Sequence, residues 1–175
     1  ALNEATFTLA GSSPNALVLS EIMYNATAGS LFEFVELYNT SDVAVDLAGL
    51  RFTNGVLFAF REGDTLGPME HLVLVADASA FEAWYPGVLF QGVFVGQLDN
   101  GGEKITLTAP DDHTIFSVDY NDRRLWPLAA DGFGRSLVLE DIGGDPDDPR
   151  SWRSSTDFDG SPGRQDPEPN YHGVV

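Results

Sequence analysis

The chain has 175 residues, enough to bury a core as one domain, and it contains no cysteine. This excludes disulfides, thiolate metal sites and thiol nucleophiles, but leaves the cellular compartment open. Acidic residues outnumber basic ones by 27 to 9, for a formal net charge of -18. Such a surface repels phosphate backbones, so we expect no nucleic-acid binding by the isolated domain, whereas a cationic partner or a calcium-rich exterior would suit it.

The two ends of the chain differ from its middle. No apolar run approaches the length of a membrane span, so we expect no membrane insertion. The first residues lack the basic-then-apolar pattern of a signal peptide. Residues 1–15 mix small and polar types without a period, and we interpret them as a linker or N-terminal extension within a larger multidomain protein that is secreted or on the cell surface.

Residues 31–39 form the densest run of strand-forming residues. At a period of two, the run divides into one face with Phe32, Phe34, Glu36 and Tyr38, and another with Leu31, Glu33, Val35 and Leu37. Both faces are mostly apolar, which predicts a strand in the middle of a sandwich or under a covering loop. A glutamate in such a strand has to lie at a rim or be paired, because an isolated buried carboxylate is costly.

Further strands are predicted on both sides of this run, each bounded by turn-forming residues. Asn54-Gly55 predicts a hairpin whose two turn residues both take positive φ. One helix is predicted over residues 78–85, capped by Asp77 and ended by Pro86. The other predicted strands cover residues 17–24, 43–47, 50–53, 56–60, 71–76, 88–95, 104–108, 114–120 and 136–139.

The last predicted strand is 136–139, and residues 141–175 are rich in Gly, Pro, Asp, Ser and Arg. They predict a long irregular tail held by Trp152. Many short strands with turn signals between them and one short helix predict an all-β sandwich.

Several segments form a recognisable series along the chain, at residues 20–25, 33–39, 45–50, 98–107, 126–137, 148–152 and 160–163. Taken in this order, they resemble the lamin tail domain in its bacterial form. The resemblance implies an immunoglobulin-like β-sandwich over residues 16–163, followed by a C-terminal tail over 164–175. It also implies a binding or spacer module of secreted or surface proteins, and not an enzyme. The chromatin contacts of the nuclear members do not carry over, because this chain is strongly acidic and has no sustained heptad repeat.

Glu21 and Glu36 are the strongest candidates for catalytic residues. They lie on strands expected to be neighbours, and paired carboxylates can act as acid and base in glycoside hydrolysis. The alternative, which we favour, is that they accept hydrogen bonds from a loop or pair with an arginine such as Arg51 or Arg135. We therefore assign no catalytic residue.

The acidic residues near the C-terminus could form a calcium site. Asp157, Asp159, Ser161 and Glu168 have the spacing of oxygen ligands in an EF-hand loop, but Pro162 stands where that loop needs glycine. A second set of oxygen donors, Asp145, Asp147 and Asp148, equally fits a turn-rich loop. Calcium is therefore possible, but we assign no metal ligand and no cofactor-binding residue.

Histidines and aromatic residues complete the candidates. His71, His113 and His172 match no nucleophile or zinc motif and are interpreted as solvated or turn histidines. An exposed strip of Trp84, Tyr85, Trp126 and Trp152 could stack on sugars, although such residues are more often core.

Three functions are open at this point. The preferred one is a non-catalytic interaction or accessory module of an extracellular or cell-surface bacterial protein, which binds a protein or polysaccharide partner or spaces a neighbouring domain. The first alternative is a carbohydrate-binding module, stabilised by calcium or not. The second is a small hydrolase that uses the paired carboxylates.

Overall fold

A computed structural model describes residues 16–123 and 125–169, and all statements on structure refer to these ranges. The predicted linker over residues 1–15 and His172 lie outside them. One α-helix is present, α1 at Ala78–Trp84, with short 3-10 turns at Ser30–Phe32, Leu128–Ala130 and Pro149–Ser151. The strands are β1 Leu17–Met23, β2 Phe34–Asn39, β3 Val45–Asp46, β4 Arg51–Asn54, β5 Phe58–Ala59, β6 Thr65–Leu66, β7 His71–Val75, β8 Gly92–Val93, β9 Lys104–Thr108, β10 Thr114–Asp119, β11 Leu137–Leu139 and β12 Trp152–Ser154.

The strands form two main sheets and one small ribbon. The larger sheet has six strands in the order β12-β11-β1-β2-β7-β8, and the second has four in the order β10-β9-β4-β5. The strands β3 and β6 form the ribbon, and among the described strands only β7 and β8 pair in parallel. One continuous core contains side chains from both main sheets, among them Val35, Leu74, Phe52 and Leu107. This arrangement confirms the predicted all-β sandwich. In the described ranges no helix is both long and apolar enough to cross a membrane.

The strand β2 lies inside the larger sheet, as its two apolar faces predict. Val35 and Leu37 belong to the main core. Phe34 belongs to a second apolar cluster on the opposite face, with Val73, Val75 and Phe81 of α1. The predicted strand starts too early, however, because residues 30–32 form a 3-10 turn and β2 begins only at Phe34.

The strand β1 contains a bulge that decides the direction of Glu21. Leu19 pairs with Leu37, but the next registered pair is Glu21 with Glu36, so Ser20 is the extra residue. In a regular strand Glu21 would share the face of Leu17 and Leu19 and point into the main core. The extra residue moves every later side chain of β1 to the opposite face. Ile22 therefore points into the main core, and Glu21 points away from it.

The predicted hairpin at Asn54-Gly55 is present, but not as a two-residue turn. Phe52 pairs with Phe58, so the loop is longer, and Gly55 has a φ of 77° while Asn54 is not at positive φ. The cause is tertiary. Leu57 forms two backbone hydrogen bonds of 2.8 Å with Val95, which draw the residues after Gly55 away from β4.

The helix is confirmed, and some strands differ from the predictions. Asp77 caps α1 by accepting a hydrogen bond of 2.8 Å from the Ala80 amide. The predicted strand over 88–95 is reduced to β8, and the one over 43–47 is reduced to β3. The short strand β6, which pairs with β3, was not predicted from the sequence.

The prediction that 136–139 is the last strand is wrong. Residues 152–154 form β12, which pairs with β11 at the edge of the larger sheet. Three strand residues between turn formers carry too weak a local signal to be recognised without their partner. Trp152 is buried as predicted. Asp166, which lies in the predicted C-terminal tail over residues 164–175, is also buried, with 4% of its surface exposed.

Candidate functional site

Glu21 and Glu36 face each other across β1 and β2. They are directly paired in the register of the two strands, and each is about 1% exposed. Both lie on the face of the larger sheet turned away from the main core. The predicted neighbour relation is therefore correct, and neither glutamate lies at an exposed rim.

The carboxylate of Glu21 is surrounded by hydrogen-bond donors. Its Oε1 accepts a bond of 2.8 Å from the Ser161 amide and another from the Ser136 hydroxyl, and its Oε2 accepts a bond of 3.0 Å from the Ser161 hydroxyl. Burial and the nearby charge of Glu36 raise the pKa of Glu21 to about 8, although these hydrogen bonds act in the opposite direction. Glu21 therefore holds a proton at pH values where an ordinary glutamate is ionised.

The carboxylate of Glu36 joins three other parts of the chain. Its Oε1 lies 2.7 Å from the Ser20 hydroxyl and 2.7 Å from His71 Nδ1, and its Oε2 accepts a bond of 2.7 Å from the Gly163 amide. The His71 ring stacks on Tyr38 with 4.5 Å between the ring centroids. Since the His71 side chain is 14% exposed, the prediction of a solvated histidine is wrong at this position. His113 is exposed in its turn, beside Asp111.

The two glutamates hold the segment 160–163 against the sheet. We call Glu21, Glu36, Ser161 and Gly163 the glutamate clamp. The hydrogen bonds come from a loop, which is the favoured interpretation of the sequence, and not from the arginines suggested. Arg51 instead pairs with Asp112, and Arg135 donates to the carbonyls of Ser155 and Thr156.

Gly160 is required at the start of this segment. Its φ is 82°, and a Cβ atom there would lie 2.4 Å from Glu21 Oε1 and 3.0 Å from Phe34 Cζ. We expect Gly160→Ala to lower the free energy of unfolding by about 2–3 kcal/mol, since backbone strain and a clash with a buried carboxylate combine. Denaturant unfolding measures the effect. Gly63→Ala is the control, because Gly63 also has positive φ but meets no atom within 4 Å, and an equal loss in both variants would show that the clash contributes nothing.

A cleft of about 130 Å³ opens beside Glu36. Its lining includes His71, Tyr38, Glu140 and Glu168, together with the ion pair of Arg153 and Asp166, whose atoms are 2.5 Å apart. Burial acts to raise the pKa of Asp166, but the hydrogen bonds from Arg153 and the Thr156 amide outweigh it and hold that pKa below its ordinary value. The cleft therefore combines the ion pair of Arg153 and Asp166 with two exposed glutamates, of which Glu140 also lies 3.7 Å from Arg153 Nε.

The acidic residues considered for calcium are mostly engaged by the protein itself. Asp157 pairs with Arg164, and the Ser161 hydroxyl donates to Glu21. In the second set, Asp145 and Asp148 accept bonds from the amides of nearby turn residues. Within the described residues no group of three or more histidine, aspartate or glutamate side chains is placed to hold a metal ion.

The four aromatic residues do not form one strip. Trp126 and Trp152 are buried in the main core, with ring centroids 6.2 Å apart. Tyr85 packs beside Phe34 on the other face of the sheet and donates a hydrogen bond to the Asp159 carbonyl. Trp84 is 45% exposed and contacts Phe32. The core interpretation is therefore correct for Trp126 and Trp152 and wrong for Trp84.

Sequence reasoning identified the two glutamates but missed most of their partners. Ser20, His71, Ser136 and Gly163 carry no motif of their own. The available signal was the cost of burying two carboxylates, which demands donors without saying where in the chain they are.

The family model of the Lamin Tail Domain matches residues 10–122, which is more than half of the chain. Glu21, Glu36 and His71 lie inside the matched range. Ser161 and Gly163, which complete the clamp, lie beyond it, as does Ser136, which also donates to Glu21. No curated protein matches the chain.

Proposed function

Because the chain belongs to the lamin tail domain family, we propose that it is a non-catalytic interaction module of an extracellular or cell-surface bacterial protein. The family consists of immunoglobulin-like, non-enzymatic domains that often mediate protein interactions. The predicted immunoglobulin-like sandwich is thus confirmed. The module holds a partner protein beside a neighbouring domain of the same protein.

The single observation that supports this proposal is how the paired carboxylates are used. A general acid or base has to come within hydrogen-bond distance of its substrate. Here both glutamates are about 1% exposed, and all four carboxylate oxygens accept bonds from the protein. The groups that could have carried catalysis therefore hold the fold together.

The charge of the molecule supports a basic partner. With a net charge of -18 and a single lysine, Lys104, the chain attracts positively charged surfaces and repels acidic ones. The cleft beside Glu36 carries Glu140 and Glu168 on its exposed rim, next to the flat face of Tyr38 and His71. A lysine or arginine side chain of a partner protein fits this combination of carboxylates and an aromatic ring.

Binding of a lysine- and arginine-rich peptide tests the proposal. We expect binding by the wild-type domain that weakens with added salt, and no binding of an acidic peptide of equal length. Glu140→Gln/Glu168→Gln should weaken binding by about two- to ten-fold, since exposed charge pairs contribute modestly. The matched control, Glu62→Gln/Glu82→Gln, removes the same charge from exposed positions that do not line the cleft and should leave affinity nearly unchanged.

Other results of the binding experiment, and of assays for glycan binding and hydrolysis, would favour other functions. Equal weakening in both double variants would mean that net charge alone attracts the peptide and that the cleft is not the binding position. Retention on insoluble glycans that Trp84→Ala abolishes would favour the carbohydrate-binding alternative. Hydrolytic turnover that Glu36→Gln abolishes, with the fold intact, would overturn the non-catalytic part of the proposal.

A further inference from the structure

The chain contains two Asn-Gly pairs, at Asn54 and at Asn100, and both asparagines are exposed. In such a pair the glycine nitrogen can attack the asparagine Cγ. A five-membered succinimide forms and ammonia leaves; water then opens the ring at one of its two carbonyls, giving aspartate or isoaspartate. Glycine favours the attack because it has no side chain to shield its nitrogen and its backbone is permissive. Sequence alone therefore makes the two sites equivalent.

The structure places the reacting groups of Asn54 together. The Gly55 amide donates to Oδ1 of Asn54 itself, at 3.0 Å. The Asn54 side chain is thus folded back over the next peptide nitrogen, which is the atom that must attack its Cγ. Holding two reacting groups in contact in this way removes much of the entropic barrier to their reaction.

The Asn100 site is arranged differently. The Gly101 amide donates to Oδ1 of the preceding residue, Asp99, at 2.7 Å, and the Gly102 amide donates to the Asp99 carbonyl at 3.1 Å. The nitrogen that would attack Asn100 is therefore hydrogen-bonded to the Asp99 carboxylate. To react, this turn first has to give up a hydrogen bond to a charged carboxylate, which is among the stronger kinds.

From this contrast we propose that Asn54 is a site of spontaneous deamidation in the folded protein and that the Asp99 turn protects Asn100. The fold also maintains the reactive pair. Gly55 has a φ of 77°, and a Cβ atom there would lie 3.0 Å from Ile105 Cγ1 and 3.1 Å from the Lys104 carbonyl oxygen. Any other residue at position 55 would be strained, so a substitution of Gly55 that prevented deamidation would also destabilise the fold.

The modification would alter the second sheet. Asn54 pairs with Thr106 where β4 meets β9, next to an irregularity in the register. Isoaspartate inserts one extra backbone atom at this point and also adds a carboxylate to an already acidic chain. The expected product is a domain whose four-stranded sheet is weakened at one end while the glutamate clamp, in the other sheet, is unchanged.

Peptide mapping of the folded wild-type protein, aged in mildly alkaline buffer, tests the proposal. Deamidation is read as a mass increase of about 1 Da, with aspartate and isoaspartate peptides separated by chromatography. We expect residue 54 to convert about ten-fold faster than residue 100, because the Gly55 amide is bonded to the Asn54 side chain that it has to attack, whereas the Gly101 amide is bonded to Asp99. In urea the two rates should become similar, since the difference arises from the fold.

A variant separates the protective effect from other causes. Asp99→Ala removes the carboxylate that engages the Gly101 amide, and we expect it to raise the rate at Asn100 towards that at Asn54, with the rate at Asn54 unchanged. Equal rates at the two sites in the folded wild type, or a ratio that persists in urea, would overturn the proposal. An Asp99→Ala variant in which the Asn100 rate does not rise would overturn its second part.

Discussion

Replacing Glu36 with alanine is expected to lower the free energy of unfolding by about 3–5 kcal/mol, because a buried donor left without its acceptor costs about 1–3 kcal/mol. The Ser20 hydroxyl, His71 and the Gly163 amide all lose the same carboxylate. The three losses are not additive, since the segment 160–163 can move away and admit water. Denaturant unfolding measures the total effect, and amide hydrogen exchange at Gly163 shows whether the segment detaches first.

Two further variants make this result specific. Glu62→Ala removes the same charge from an exposed position and should change stability by less than about 0.5 kcal/mol. Glu36→Gln keeps the shape and one acceptor oxygen, so we expect an intermediate loss of about 1–2 kcal/mol. If Glu36→Ala and Glu62→Ala have equal effects, the carboxylate of Glu36 does not hold the segment.

Stability is expected to fall as pH rises, and Glu21 is the main cause. Its pKa is about 8 in the folded protein, against an ordinary value of 4.5. The folded state therefore binds this proton more tightly than the unfolded chain does. The resulting stabilisation is fully present below pH 4.5 and is lost as pH rises towards 8. Each pH unit in this window changes the free energy of unfolding by at most about 1.4 kcal/mol, so the total loss is a few kcal/mol.

The variant Glu21→Gln isolates this contribution, because glutamine does not titrate. We expect it to be equal to or less stable than the wild type near pH 4.5 and more stable near pH 8. Titration of Glu33 also lowers stability as pH rises, since burial raises its pKa to about 7. This contribution should remain in Glu21→Gln. Denaturant unfolding of both proteins across this pH range shows the pH at which their stabilities become equal. A constant difference between the two proteins would mean that the pKa of Glu21 is not raised by folding.

Local patterns were sufficient for much of the larger sheet. The alternation of apolar residues around Glu36 placed β2 between two layers, and Asp77 marked the start of α1, because both signals depend on residues a few positions apart. That the strands of Glu21 and Glu36 are neighbours was predicted as well, but the direct pairing of the two side chains depends on the bulge at Ser20. The hairpin at Asn54-Gly55 was located correctly, but its geometry depends on the distant pairing of Leu57 with Val95.

The sequence by itself determined an acidic, cysteine-free β-sandwich with two glutamates that demand partners. Only the tertiary structure decided what those partners are. The bulge at Ser20 turns Glu21 away from the main core, and the donors come from Ser136 and Ser161, which are 115 and 140 residues distant in the chain. The cost of burying a carboxylate is a local property and can be predicted from one strand, whereas the donors that offset it depend on how the whole chain packs.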